Sequence, residues 1–415
     1  MLTKRSPAKA PLEQMNVSNY RYTDRPYPMV ECTVPGLSQE AFDRDWNPKP
    51  ASLMWVDAIT RVYALNRPLP TQDDCTNITN QGGGAPAHAV ETASDVDRKV
   101  DSERGLEREK VLDSTPHNVE NPADTVVGDS ASSKMFWTQS QREQAFINWP
   151  RITKEFYVFG ACAEFTMSRA LYDPDVPKWL LDFRFTQGFV GTCSVTNITE
   201  FYARVGENEK RLLWKNTYQL VIVDKKTRKP TRTPKWFIDK YQGWGSLQKG
   251  LAFRPFKRPR LTYCHPIQVQ WSDTDEYRHA NWSSYMKWAT DALHAALMLD
   301  KNVKSSSGDS GRQTATATST HCNNDKTPLT TSPEQAENPG KMARGAVALC
   351  GINEETMRQG LAKFQVSFYR ECLEGDQVEA HVWQDGSDGD PGLVYCCLVK
   401  DREEICQVKM WYFTE

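Results

Sequence analysis

The segment Trp271-Ser-Asp-Thr-Asp-Glu-Tyr-Arg-His-Ala-Asn281 sets carboxylates, an imidazole and a carboxamide immediately ahead of an apolar run. A carboxylate or an imidazole can serve water as a general base. A developing oxyanion needs hydrogen-bond donors already in place, and a helix start offers unpaired N–H groups and a favourable dipole. Asp275 and His279, ahead of a helix expected near Asn281, therefore suit hydrolytic acyl chemistry. Later, Tyr369-Arg-Glu-Cys372 adds an acid and a thiol. Neighbours on a strand face opposite ways, so Glu371 and Cys372 do not share a site unless a bulge intervenes. Glu371 is the preferred partner: partly desolvated, its carboxylate would have a raised pKa and act as a base.

Each of these residues also has a plain structural reading. Asp275 can brace its loop or cap the helix, and Asn281 is a natural N-cap. His279 can be a satisfied structural histidine and Tyr277 a packing residue. Glu371 can be a solvated neighbour of Arg370, and Cys372 a small buried hydrophobe. The pair Asp273 and Asp275 has the Asp-x-Asp form of a phosphatase nucleophile loop, but a parallel α/β sheet is not indicated. Asp273, Asp275 and His279 are three potential metal ligands on one loop with no fourth in view. Neither of these two readings is preferred, and no cofactor or metal is expected.

The string Trp271–Asn281, followed by Tyr285 and Trp288, resembles the acyl-ACP thioesterases, as does Tyr369-Arg-Glu-Cys372 followed by Gly375-Asp376. Residues from about Leu261 to Phe413, less an insert, match in order; the first half matches only in architecture. The resemblance implies a tandem double hotdog, and one helix followed by a long antiparallel meander in each half itself suggests α+β, a curved antiparallel sheet wrapped around a central helix. It implies hydrolysis of a fatty acyl thioester on acyl-ACP or acyl-CoA. Asp275 corresponds to the family's Asp, which would position or activate water. His279 corresponds to its His, an acid/base or carbonyl ligand, with Glu371 as carboxylate base. Asn281 would help to hold the loop, and Cys372 fits the later cysteine position. Tyr277 stands where the family carries Asn, a departure in the catalytic wiring. A non-catalytic acyl-binding or scaffold protein on the same fold is the alternative, and a hotdog hydratase or dehydratase a third.

The elements that would position these residues occur twice. In the second half, Pro266–Trp271 alternates as a strand. A helix with Trp282, Tyr285, Met286, Ala289, Leu293, Ala296 and Leu297 on one face follows. Strands are then expected at Ala362–Glu371, Gln377–Gln384, Leu393–Lys400 and Ile405–Phe413. In the first half, Met29–Val34 precedes a helix with Leu53, Val56, Ala58, Ile59 and Val62. Strands are expected near Phe156–Phe165, Gly191–Ala203, Arg211–Val223 and Lys235–Ile238. An offset of about 230 residues lays Asp43 on Asp273, Asp45 on Asp275 and Lys49 on His279, so the first copy has lost the chemistry. Trp55, Phe183, Phe185 and Phe189 are candidate walls of an acyl tunnel. The expected division is residues 1–20 as a flexible start, 21–245 as the first hotdog and 246–415 as the second. Inserts at about 71–134 and 301–342 are too poor in apolar residues to order themselves.

Composition narrows the partners. The 415 residues carry a net charge of −2, so no global field favours nucleic acid or an anionic membrane. No stretch reaches the ~18 apolar residues of a membrane span, and no secretory signal is evident. A cytoplasmic location is expected, with organelle import by a short N-terminal segment left open. The 11 cysteines show no paired spacing, so neither a zinc site nor a disulfide framework is expected. Between Lys225 and Arg260 the chain has 12 Lys or Arg against one acid, Asp239. This stretch is either a solvated linker or a docking surface for an acidic carrier protein or coenzyme A phosphates. Oligomeric state is open, a dimer included.

Overall fold

Alternation of apolar residues sets the strands, and two apolar helices interrupt them at matching places. The chain opens with β1 (Ser18–Thr23), β2 (Met29–Gly36) and helix α1 (Pro50–Asn66). Short α2 (Trp149–Glu155) leads into β3 (Phe156–Met167), β4 (Trp179–Val190), β5 (Ser194–Arg204), β6 (Lys210–Asp224) and α3 (Lys235–Tyr241). The second half repeats the order with β7 (Tyr263–Gln268) and α4 (Trp282–Ser306). Short α5 (Glu354–Arg358), β8 (Leu361–Phe368), β9 (Gln377–Trp383), β10 (Leu393–Lys400) and β11 (Glu403–Tyr412) complete it. This computed structural model describes residues 17–24, 26–66, 145–275, 278–306, 349, 351–386 and 389–414. Tyr277, the expected insert at 71–134 and nearly all of that at 301–342 lie outside the described residues, as does most of the expected flexible start.

Among the described residues, eleven strands form one antiparallel sheet in the order β1-β2-β4-β5-β6-β3-β8-β11-β10-β9-β7. Taken by rank around each long helix, β2 corresponds to β7, and β3 through β6 correspond to β8 through β11. Apart from the edge strand β1, the order is its own mirror image across the β3–β8 seam. At that seam Cys162 pairs with Ser367 and Thr166 with Lys363. Phe165 stacks on Phe364 with ring centroids 4.6 Å apart. Helix α1 packs on β2 and β4, α4 packs on β7, β9, β10 and β11, and the two helices pack on each other. The fold is the α+β hotdog arrangement: an antiparallel sheet around helices that supply one continuous core.

The two helices bury different chemistry. Along α4, Tyr285, Met286, Ala289, Ala292, Leu293 and Leu297 are all at most 5% exposed. Along α1, Leu53 and Met54 are buried, but so are Asp57 and Thr60, at 0%. Asp57 accepts hydrogen bonds from Thr199 and from Asn216 Nδ2 (2.9 Å), and pairs with Arg61 Nε at 2.8 Å. The Arg61 guanidinium lies 3.7 Å over the Tyr218 ring and 5.2 Å over that of Trp282.

Several expectations are corrected. Lys235–Ile238 is not a strand but part of α3. Pro234 stands at the N-cap of that helix, and Phe237 and Tyr241 are buried on one face. Strand β4, with Phe183 and Phe185 turned inward, was not anticipated as a strand. Helix α4 continues to Ser306, into the expected insert, because propagating a helix adds one bond per residue. Trp55 is 49% exposed and lines no interior wall, whereas Phe183 and Phe185 are core.

The two halves also superpose with a different offset. Asp43 N–H donates to Asn47 O as Asp275 N–H donates to His279 O. Lys49 N–H donates to Ala41 O as Asn281 N–H donates to Asp273 O. Trp46 and Arg278 share a left-handed φ, 62° and 63°. The offset is thus 275 minus 43, or 232. Asp43 is the counterpart of Asp275, Asn47 of His279, and Lys49 of Asn281.

Candidate active site

The loop between β7 and α4 is tied down before it presents any side chain. Asp273 is 4% exposed. Its carboxylate accepts the Gln270 N–H at 3.1 Å and pairs with Lys287 Nζ at 2.9 Å. Its carbonyl accepts the Asn281 N–H and the Ser284 hydroxyl, each at 2.8 Å. Asp273 is therefore committed to holding the loop. Asp275 Oδ1 accepts the His279 N–H at 3.2 Å, closing a turn whose backbone bond runs from Asp275 N–H to His279 O at 2.8 Å. Asn281 caps α4, its Oδ1 accepting both the N–H (3.0 Å) and the hydroxyl (2.9 Å) of Ser283. The Asn281 carbonyl also accepts the Ser284 N–H. Two N–H groups expected to face an oxyanion are thus occupied by the cap.

His279 and Glu371 meet. His279 Nδ1 lies 3.1 Å from Glu371 Oε2, with the two side chains 24% and 48% exposed. The other carboxylate oxygen, Oε1, accepts from the Arg228 guanidinium at 2.9 Å. A carboxylate at Nδ1 favours the tautomer with its proton there, leaving Nε2, across the ring, with its lone pair. Arg228 comes from the turn after β6, in the first half. Asp224 Oδ1 closes that turn by accepting the N–H groups of Lys226 and Thr227, and Arg228 adopts a left-handed φ of 56°. Its guanidinium lies 5.2 Å from the centroid of the Tyr157 ring.

Glu371, expected at the end of a strand, lies beyond it. Strand β8 ends at Phe368, where Ile405 O accepts the N–H groups of both Tyr369 and Arg370 and the ladder breaks. Glu371 is half-exposed rather than desolvated. Cys372 points the other way and is fully buried. Its N–H donates to Tyr285 Oη, which donates to the Arg370 carbonyl. Burial pushes the Cys372 thiol up to about 11 and the Tyr285 phenol higher still. The structure thus brings Asp275, His279, Asn281 and Glu371 to one loop junction and sets Cys372 in the core beneath it. Tyr277 lies outside the described residues. Arg228 was missed as a site residue: its only sequence signal was membership of the basic stretch. A groove of about 650 Å³, lined by Phe189, Ser194, Gln219, Arg232 and Leu251 among others, lies elsewhere and includes none of these residues.

No family model and no curated protein matches the chain. Solved structures do resemble it. A 12:0-ACP thioesterase from Umbellularia californica is 10% identical over 65% of this chain and 79% of its own, with a TM-score of 0.40. An acyl-ACP thioesterase from Bacteroides thetaiotaomicron is 10% identical over 63% of this chain and 78% of its own, with a TM-score of 0.37. Similarity of this degree assigns neither substrate nor catalytic residues.

Proposed function

We propose that this protein hydrolyses acyl thioesters, with His279 as general base and Glu371 as the carboxylate that orients it. The observation that carries the reading is the 3.1 Å contact between His279 Nδ1 and Glu371 Oε2. It lies on a loop that leads directly into the apolar helix α4. Water attacks the thioester carbonyl and gives its proton to Nε2. The carboxylate stabilises the imidazolium that forms. The tetrahedral intermediate then expels the thiolate, which takes the proton back from Nε2. Asp275 positions the imidazole through the His279 backbone, and Asn281 holds the helix start. This differs from the role first expected for Glu371, because its carboxylate is already engaged by two cationic or proton-donating partners. The exposed Lys225, Lys226 and Lys229 beside Arg228 suit the phosphates or acidic surface of an acyl carrier. ACP and coenzyme A remain two arms of the test.

The test is thiol release from acyl-ACP and acyl-CoA panels. Wild-type turnover is expected, falling roughly 100-fold or more in His279→Ala and Glu371→Gln. Full activity in both variants would remove this assignment. A second reading is an acyl-binding protein without turnover. It is favoured by the Asn281 cap, which occupies the Ser283 and Ser284 N–H groups. Binding of fatty acid with no thiol release would select it.

A further inference from the structure

The outer face of the second half carries a group of side chains that the proposed hydrolysis does not use. Cys264 on β7 pairs directly across the ladder with His381 on β9. Glu379 lies two residues before His381 and so shares its face. The potential ligand atoms of Cys264, Glu379 and His381 all lie within 4.8 Å of one another. Glu379 Oε2 and His381 Nε2 are 3.2 Å apart. Ligand atoms on a tetrahedral zinc ion, with bonds of about 2.0–2.3 Å, stand about 3.3–3.8 Å from each other. The spacings present, 3.2 Å between Glu379 and His381 and at most 4.8 Å for the others, bracket that range.

A second feature marks the histidine itself. His381 is 6% exposed, and Thr262 Oγ1 lies 2.9 Å from its Nδ1. Metal-bound imidazoles characteristically have their second nitrogen held by such an outer partner, which sets the ring plane. Here that partner occupies Nδ1 and turns Nε2 toward Glu379. Cys264 is half-buried and Glu379 exposed, which leaves a path from solvent.

We propose that Cys264, His381 and Glu379 form a divalent-cation site, with zinc the ion best matched to it. A thiolate, an imidazole and one carboxylate suit zinc, whereas magnesium and calcium require oxygen ligands. The three protein ligands leave a fourth position for water. Arg258 and Glu404 both act electrostatically on the His381 ring. Their charges offset each other, so the thiolate and the Glu379 carboxylate balance the two charges of a divalent ion. Among the described residues, β7 is the edge strand of the sheet and pairs only with β9. An ion held by both strands would pin that edge, from which the chain runs on to the His279 loop. Linear spacing conceals the ligand set because its members come from two distant strands.

The test uses the full chain and cobalt(II) as a spectroscopic stand-in for zinc. Titration is expected to give a near-ultraviolet thiolate-to-cobalt charge-transfer band that saturates at one equivalent and is abolished by zinc. Cys264→Ser should eliminate the band, and His381→Asn should weaken cobalt binding at least tenfold. Cys193→Ser, altering another half-buried thiol, should leave the band unchanged. Absence of a band in the wild type, or its persistence in Cys264→Ser, would overturn the proposal. If His381→Asn does not fold, Cys264→Ser, a one-atom change on a half-buried side chain, still decides the matter.

Discussion

At the scale of single residues, the chemistry depends on which atoms are already committed. Asp273 and Asp275 look equivalent on paper, yet the Asp273 carboxylate is buried against Lys287 and Gln270. Arg228 is the reverse: a residue with no individual signature that grips Glu371 from the other half of the chain. Arg228→Gln is expected to lower kcat roughly tenfold by freeing the Glu371 carboxylate, while Lys229→Gln, on the carrier-facing turn, raises KM and leaves kcat unchanged; steady-state kinetics on acyl-CoA distinguishes the two. A second residue-scale prediction concerns Asp182. Burial opposes its ionisation, but Arg204, Lys210 and Thr33 outweigh that and hold its carboxyl down to about 2. Its folded value therefore lies below its ordinary one. Its stabilisation is complete above the ordinary carboxylate pKa and is lost as pH falls from about 4 to 2. Roughly 1–2 kcal/mol should disappear over that window once screening at the half-exposed cations is allowed for. Urea midpoints measured across it should fall less steeply in Asp182→Asn.

At the scale of elements, the loop before each long helix is built the same way twice. In each copy an aspartate accepts the N–H four residues on, and a left-handed residue stands just before that N–H. Only the second copy has histidine at that N–H; the first has Asn47. The loop is thus a structural device on which one copy carries a candidate base. Asn281 caps α4 in that copy, so Asn281→Ala should cost about 1 kcal/mol, read as a shift in the urea midpoint. Because the cap also sets the approach of α4 to His279, thiol release should fall in parallel. Unchanged stability in this variant would show that the cap contributes nothing to the helix start.

At the scale of the whole molecule, one sheet serves two unlike interiors. The second half packs Ala289 and Leu293 where the first packs Asp57 and Arg61. Removing one partner of a buried ion pair leaves the other charge uncompensated, at a cost of about 3–5 kcal/mol. Asp57→Ala should therefore be strongly destabilising. Asp57→Ala combined with Arg61→Leu, which copies the second half, should recover a large part of that loss. Denaturant unfolding of the three proteins tests this, and a double variant as unstable as the single one would mean that the pair does not act as a unit.

The sequence alone determined the α+β class, the repeated strand–helix–strands order and the segment that holds Asp275, His279 and Asn281. Those features are local: alternation of two, helical spacing and short-range hydrogen-bonding groups are written in consecutive residues. The β11 partner of β8, the helical character of Lys235–Tyr241 and the true offset of 232 were not legible. Each is decided by pairing and packing between distant segments. The same holds for the candidate site. Identity and spacing singled out His279 and Glu371, but only the tertiary structure decided that Nδ1 faces the carboxylate. It also turned Cys372 into the core, and it delivered Arg228 from the other half. Direction and partnership of a side chain arise from long-range contacts, which residue spacing does not encode.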